Sequence, residues 1–232
     1  ATRGFAIDLP GCSNRRSLGA MQLLLATNNP HKRSEFAGIF PDHIIHTPSD
    51  LGIELDVEET GETFLANSIL KARGLQSLVR SRGTIPVDRD AAFIADDSGL
   101  CVDALGGGPG IYSARFGSPD GGVTELDAAS RNEMLLQSIA GVEDRSAHFV
   151  CCMVALLPDD RLIVAQESWA GRIAERPSSG GGGFGYDPVF YLPERGCTAA
   201  DLPADEKNRI SHRGRASRVL HAALLEAERL PR

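Results

Sequence analysis

Phe93-Ile94-Ala95-Asp96-Asp97-Ser98-Gly99-Leu100 sets an apolar run directly against two adjacent carboxylates, then a serine and a glycine. An apolar run that stops abruptly in charge reads as a buried strand delivering its last side chains to a site at its C-terminal edge. That edge is where open α/β sheets bind ligands. Side chains alternate faces along a strand, so Asp96 and Asp97 should point in opposite directions. A strand followed by an ordinary Asp-Ser-Gly turn fits this stretch equally well by itself. The choice between the two depends on what the remaining segments bring to the same place.

Working outward, residues 21–26 form a second short apolar run, fit for a buried parallel strand. It stops at Thr27-Asn28-Asn29-Pro30, where Pro30 suits the first turn of a helix; Phe36, Ile39 and Phe40 follow at helical spacing. Helix N-termini attract phosphate, and Thr27, Asn28 and Lys32 converge on this one. A plain helix cap with one solvated lysine is the competing reading. Residues 43–46 read as another short strand. Its two histidines, His43 and His46, fall on opposite faces and so do not suggest a metal site.

An acidic loop holding Glu58-Glu59-Thr60-Gly61-Glu62-Thr63 leads into a helix expected over residues 64–80, with Thr60 and Thr63 as cap candidates. Lys71 inside that helix reads as a surface lysine. Residues 100–105 read as a further short extended piece, and 124–139 as a helix. Residues 147–157 and 162–169 read as an antiparallel hairpin able to build a second lobe. Gly180, Gly182 and Gly185 match a dinucleotide-binding spacing, but Tyr186-Asp187-Pro188 intervenes where a helix should begin, so that reading is rejected. The aromatics of this stretch can stack on a base and Asp187 can accept from ring N–H groups, while a β-turn with core aromatics fits it equally well by itself. The terminal region 202–232 reads as helical, and Lys207, Arg209, Arg213 and Arg215 concentrate positive charge at its start, either a solvated helix face or an electropositive wall for phosphate or a purine carbonyl.

The formal net charge of -7 argues against a general nucleic-acid or anionic-membrane binder. No apolar run reaches the roughly eighteen residues needed to span a bilayer. The five cysteines show no paired spacing, which favours a reducing cytoplasm. Residues 1–20 fail as a secretory signal and read as a disordered extension. Folding is expected to begin at Met21, with residues 21–232 as one domain.

Taken in order, Thr27-Asn28-x-x-x-Lys32, Glu58-Glu59-Thr60-Gly61-x-Thr63-Phe64, Lys71-Ala72, Ala95-Asp96-Asp97-Ser98-Gly99-Leu100, Gly106-Gly107-x-Pro109-Gly110-x-Tyr112-Ser113-Ala114-Arg115, Phe184-Gly185-Tyr186-Asp187-Pro188 and Ser211-His212-Arg213 resemble the inosine/xanthosine triphosphate pyrophosphatases. The resemblance covers some nine-tenths of the chain, residues 21 to about 225. It implies a two-lobed α/β fold with a mixed sheet flanked by helices, a cleft between the lobes, a homodimer and Mg²⁺ as cofactor. It implies that NTP and water give NMP and pyrophosphate. The turn Thr27-Asn28-Asn29-Pro30-His31-Lys32 would hold phosphates, with Lys71 adding positive charge. Glu58, Glu59, Asp96 and Asp97 would hold the metal, Asp97 also serving as general base, and Ser98 would touch substrate. Phe184, Gly185, Tyr186, Asp187, Lys207, His212 and Arg213 would bind the base. The family more often has Thr-Gly-Asn where this chain has Thr27-Asn28-Asn29, which leaves open which asparagine meets phosphate.

The chemistry is consistent with that reading. A polyanionic triphosphate needs a carboxylate-held cation, and a nearby carboxylate can take a proton from water. A 6-oxo purine offers O6 to the donors His212, Arg213 or Lys207. Two alternatives remain at this level: a related house-cleaning pyrophosphatase for other modified nucleotides, and a non-catalytic nucleotide-binding protein.

Overall fold

The computed structural model of the protein describes residues 22–83, 87–88, 90–120 and 126–229. Strand β1 (Gln22–Leu25) is followed by helix α1 (Pro30–Ile39), strand β2 (Ile44–His46) and helix α2 (Phe64–Arg82). Three long strands come next, β3 (Ala92–Val102), β4 (Ser146–Leu156) and β5 (Leu162–Ile173), with helix α3 (Ala128–Ser138) between the first two. Strands β6 (Phe190–Leu192) and β7 (Cys197–Thr198) and helices α4 (Ala204–Ile210) and α5 (His212–Arg229) follow. The sheet order is β2-β1-β3-β4-β5-β6-β7, parallel where β1 meets β2 and β3 and antiparallel from β3 onward. This is the expected mixed sheet flanked by helices.

Side-chain alternation settles which helix covers which face. Leu23, Leu25 and Ile94 pack against Phe36 of α1, Phe40 just past its end, and Ala216, Leu220 and Leu224 of α5. Leu24, Phe93 and Ala95 pack on the opposite face against Ala72 and Leu75 of α2. Each fully buried leucine or phenylalanine contributes roughly 1.5–3 kcal/mol, so both helical layers are held firmly.

The cleft arises because neighbouring strands differ in length. β1 pairs with β3 only from Ala92 to Ile94, and a last bond joins the Ala26 N–H to the Ile94 carbonyl at 2.7 Å. β3 continues to Val102, paired on its other side with β4 throughout. Beyond that point Leu100, Val102, Phe149, Trp169 and Ile173 join Leu135 and Ile139 in a second core. Two lobes therefore share β3, β4 and β5, and the space where β1 stops is the cleft.

Several boundaries differ from the sequence reading. β3 does not end at Asp97, and residues 100–102 are its continuation, because pairing with β4 runs unbroken through Asp97↔Cys152 to Val102↔Ala147. The carboxylates are thus in mid-strand, at the level where the parallel part of the sheet ends. The terminal helical region is two helices, broken at Ser211, whose backbone is extended (φ -68, ψ 162). Gly214 permits that elbow, since a Cβ there would strike the Asn208 carbonyl. The helix expected from 124 begins at Ala128, and its expected first residues lie outside the described ones, as do Met21 and the expected extension 1–20.

Candidate active cleft

The floor of the cleft is Asp96 and Asp97, which face opposite sides of the sheet as alternation requires. On the α1 and α5 side, Asp96 receives Lys32 Nζ at 2.9 Å, Ser98 Oγ at 2.8 Å and the Arg213 guanidinium at 3.3 Å. Burial alone would raise the Asp96 carboxyl. Lys32, Arg213 and Lys71 outweigh it and hold the group well below the usual carboxylate range. Lys32 reaches this point because Asn29 caps α1, its Oδ1 accepting from the N–H groups of His31 (2.9 Å) and Lys32 (3.3 Å). Thr27 Oγ1 accepts from the Asn29 N–H at 3.1 Å, and Asn28 donates to the Leu55 carbonyl at 3.1 Å. Asn29 is therefore the builder of the turn, with its side-chain oxygen committed to the cap.

On the α2 side, Lys71 Nζ lies 3.0 Å from Asp97 Oδ1 and 3.5 Å from Glu59 Oε1. It is not the surface lysine its sequence position suggests. Burial would lower its pKa, but Asp97, Asp96 and Glu59 outweigh that and raise it. Asn67, one helical turn earlier on the same face, donates to Asp97 Oδ2 at 3.3 Å and accepts from the Gly61 N–H at 2.8 Å. The acidic loop is thereby tied to Asp97. Gly61 must be small there, because a Cβ would sit 2.6 Å from Asn67 Oδ1.

At the other end, Glu35 of α1 bridges two cations: Arg213 Nη1 at 2.5 Å and Lys207 Nζ at 3.2 Å. Burial would raise the Glu35 pKa, yet Arg213 and Lys207 bring it below its ordinary value. Lys207 also pairs with Asp187 Oδ2 at 2.6 Å, which accepts from the Phe184 N–H at 2.6 Å as well. The ring of His212 stacks on Phe149, 4.7 Å away and tilted by 8°, and its buried Nδ1 has no hydrogen-bond partner. Burial and the neighbouring Arg213 and Lys207 push His212 well below its ordinary value, so it is a neutral imidazole at physiological pH.

Every residue anticipated from the sequence borders a single cavity of about 1340 Å³, including Thr27, Pro30 and His31 at one rim and Gly185 and Tyr186 at the other. Their tasks differ from expectation in three places. Asp96 is spent on Lys32 and Arg213, on the face away from Asp97, so the four carboxylates do not gather at one point. Asp187 borders the cavity but is nearly fully buried, and its carboxylate holds the 184–187 turn and Lys207. Tyr186 gives its hydroxyl to the Ser113 carbonyl at 2.8 Å and braces the opposite wall. Among the described residues no three His, Cys, Asp or Glu side chains are close enough to hold a metal ion unaided. Glu59 and Asp97 do share one cation, the Lys71 ammonium, and Glu58 borders the same space. Hard oxygen donors from a few carboxylates suit Mg²⁺, which takes its remaining ligands from water and substrate phosphate.

Sequence reasoning passed over Glu35, Asn67 and Phe149. The first two had a signal: Glu35 is three residues past Lys32, and Asn67 four before Lys71, so each shares a helix face with a lysine already singled out. Phe149 had none, because only the β4 register places it beneath His212.

Comparison with known proteins gives a consistent picture. The profile of the Ham1 family matches residues 23–223. A dITP/XTP pyrophosphatase of Treponema denticola is 47% identical over 196 residues, covering 84% of this chain and 94% of that one. A dITP/XTP pyrophosphatase of Pectobacterium atrosepticum is 44% identical over 212 residues, 89% of this chain and 99% of that one. Among solved structures, the Ham1 protein of Staphylococcus aureus superposes with a TM-score of 0.73 at 39% identity, covering 89% of this chain and 99% of that one. A HAM1 protein from Coxiella burnetii gives 0.73 at 35% identity with the same coverage.

Proposed function

This chain belongs to the Ham1 family, and from that premise we propose that it hydrolyses non-standard purine nucleoside triphosphates (ITP, dITP and XTP) to the monophosphate and pyrophosphate, clearing them from the nucleotide pool. One observation carries the reading. A single cleft has lysines facing carboxylates at one end and, at the other, a neutral imidazole whose Nδ1 has no hydrogen-bond partner, beside an arginine.

The division of labour follows from that polarity. Lys32 and the N-terminal turn of α1, with Lys71 opposite, attract the triphosphate. Asp97, held by Lys71 and Asn67, takes the proton from the attacking water. Glu58, Glu59 and Asp97 would hold Mg²⁺, which neutralises phosphate charge and polarises the reacting phosphorus when bound. Asp96 does not share that task in this reading. It anchors Lys32 and Arg213, so that both cations are fixed before substrate arrives.

Base choice is set at the far end. His212 and Arg213 present donors to O6, and Lys207 is fixed among Glu35, Asp187 and the Phe184 ring. Adenine places an amino group where O6 would be, leaving a buried donor unpaired at a cost of roughly 1–3 kcal/mol. The acidic net charge supports a small-molecule substrate over nucleic acid. Among the described residues no helix is long and apolar enough to cross a membrane. Residence in the cytoplasm and assembly as a homodimer belong to the same reading, the latter tested by sedimentation equilibrium. The test of the activity is pyrophosphate release across a panel of standard and deaminated triphosphates. Release from ITP and XTP, abolished by chelation and restored by Mg²⁺, is the expected result. Orthophosphate as first product would sink the assignment.

A further inference from the structure

His31 projects from the first turn of α1, and Phe184 from the loop that follows the glycines at 180–183, so their contact joins the two sides of the cleft. The rings are parallel to within 10°, with centroids 5.2 Å apart. Phe184 also carries Lys207 Nζ at 4.8 Å and the Arg213 guanidinium at 5.5 Å from its centroid. These three partners are held very differently. Lys207 and Arg213 are locked by Glu35, Asp187 and Asp96. The His31 imidazole has no hydrogen bond or ion pair among the described residues and rests on stacking alone. It is the one partner of Phe184 that can leave without breaking a charged contact.

Spacing decides what its leaving would allow. Two stacked contacts of about 3.5 Å each require a gap of about 7 Å between outer rings. The 5.2 Å between His31 and Phe184 cannot admit a base. We propose that His31 is a specificity-determining stand-in for the base: its imidazole covers the Phe184 platform until a purine takes its place. This inference rests on the base-binding reading of Phe184 given above. It goes further in making the His31 side chain a competitor of the base, the phosphates being left to Lys32 and the backbone of the turn, which substitution of the His31 ring does not alter.

Competition has a sign. Weakening the stack tightens base binding, and strengthening it loosens base binding. His31 is exposed, so His31→Ala and His31→Trp both leave the core untouched. KM and kcat for ITP would be measured alongside the inhibition constant of inorganic tripolyphosphate, which has the phosphate chain and no base. His31→Ala should lower KM for ITP by about two- to tenfold, the size of one aromatic pair, and His31→Trp should raise it. kcat and the tripolyphosphate constant should not move in either variant. A KM that rises or stays unchanged in His31→Ala, or equal changes for ITP and tripolyphosphate, would overturn the proposal. A second readout needs no turnover: the His31 ring protons, shielded by Phe184, should shift downfield in proton NMR when inosine monophosphate is added. Ring protons indifferent to saturating inosine monophosphate would also overturn it. If no triphosphate is hydrolysed at all, the functional reading fails, and the NMR titration still tests the exchange.

Discussion

At the scale of single residues, neighbouring carboxylates have been given separate tasks by nothing more than strand alternation. Asp97 points to Lys71 and Asn67, Asp96 to Lys32 and Arg213. Asp97→Asn keeps the shape and removes the proposed general base, so pyrophosphate release should fall about 10²–10⁴-fold while the unfolding midpoint in urea changes little. Glu35→Gln acts otherwise. It takes a carboxylate from between two buried cations, and the protein should lose roughly 2–3 kcal/mol in urea unfolding. Because it loosens the wall proposed to bind the base, KM for ITP should rise while the tripolyphosphate inhibition constant stays constant. The Asp96-Asp97 pair could be read from the sequence, since alternation is local. Which aspartate faced which lysine could not, because that depends on α1 and α2 lying on opposite faces.

At the scale of elements, the placement of the cleft's side chains depends on how helices begin and strands pair. Thr63 caps α2, its Oγ1 accepting from the Ala66 N–H at 3.1 Å, and the first turns of that helix carry Asn67 and Lys71. Thr63→Ala should cost about 1 kcal/mol of stability and raise KM, as the fraying turn lets Asn67 drift from Asp97. The helices were legible wherever an apolar stripe recurred at helical spacing, and α2 differs from expectation by two residues at its C-terminal end. β3 was misread because the eye stops a strand at charge. Strand pairing overrides that, since the aspartates are satisfied by cations from the helices and the ladder with β4 need not end. The α4–α5 break was missed for a related reason. Its cause is a tertiary contact, Gly214 against the Asn208 carbonyl, that helical propensity does not reveal.

At the scale of the whole molecule, the buried charges predict how stability depends on pH. His212 is held neutral in the folded protein, whereas an unfolded imidazole takes a proton near 6.5. Its folded pKa is depressed, so its contribution is present above pH 6.5 and lost as pH falls below it. Asp96 and Glu35 are also depressed, from ordinary values of 3.8 and 4.5. Their contributions persist above those values and vanish as pH drops further. Thermal unfolding midpoints should therefore decline in two stages on acidification, a shallow one below pH 6.5 and a steeper one below about 4.5. His43, pushed down by burial and by the neighbouring His221, contributes to the same first stage, so His212→Asn should shrink that stage without abolishing it and leave the second unchanged. The two-lobed cleft itself could be anticipated from the family resemblance that the motifs carry, but its cause, a short β1 beside a long β3, needed the register. The measurement that bears most directly on the account is phosphorus NMR of the protein incubated with ITP and Mg²⁺. Inosine monophosphate and pyrophosphate should appear together in equal amounts, with ATP consumed on the order of 100-fold more slowly. Inosine diphosphate and orthophosphate as first products, or equal turnover of ATP, would contradict it.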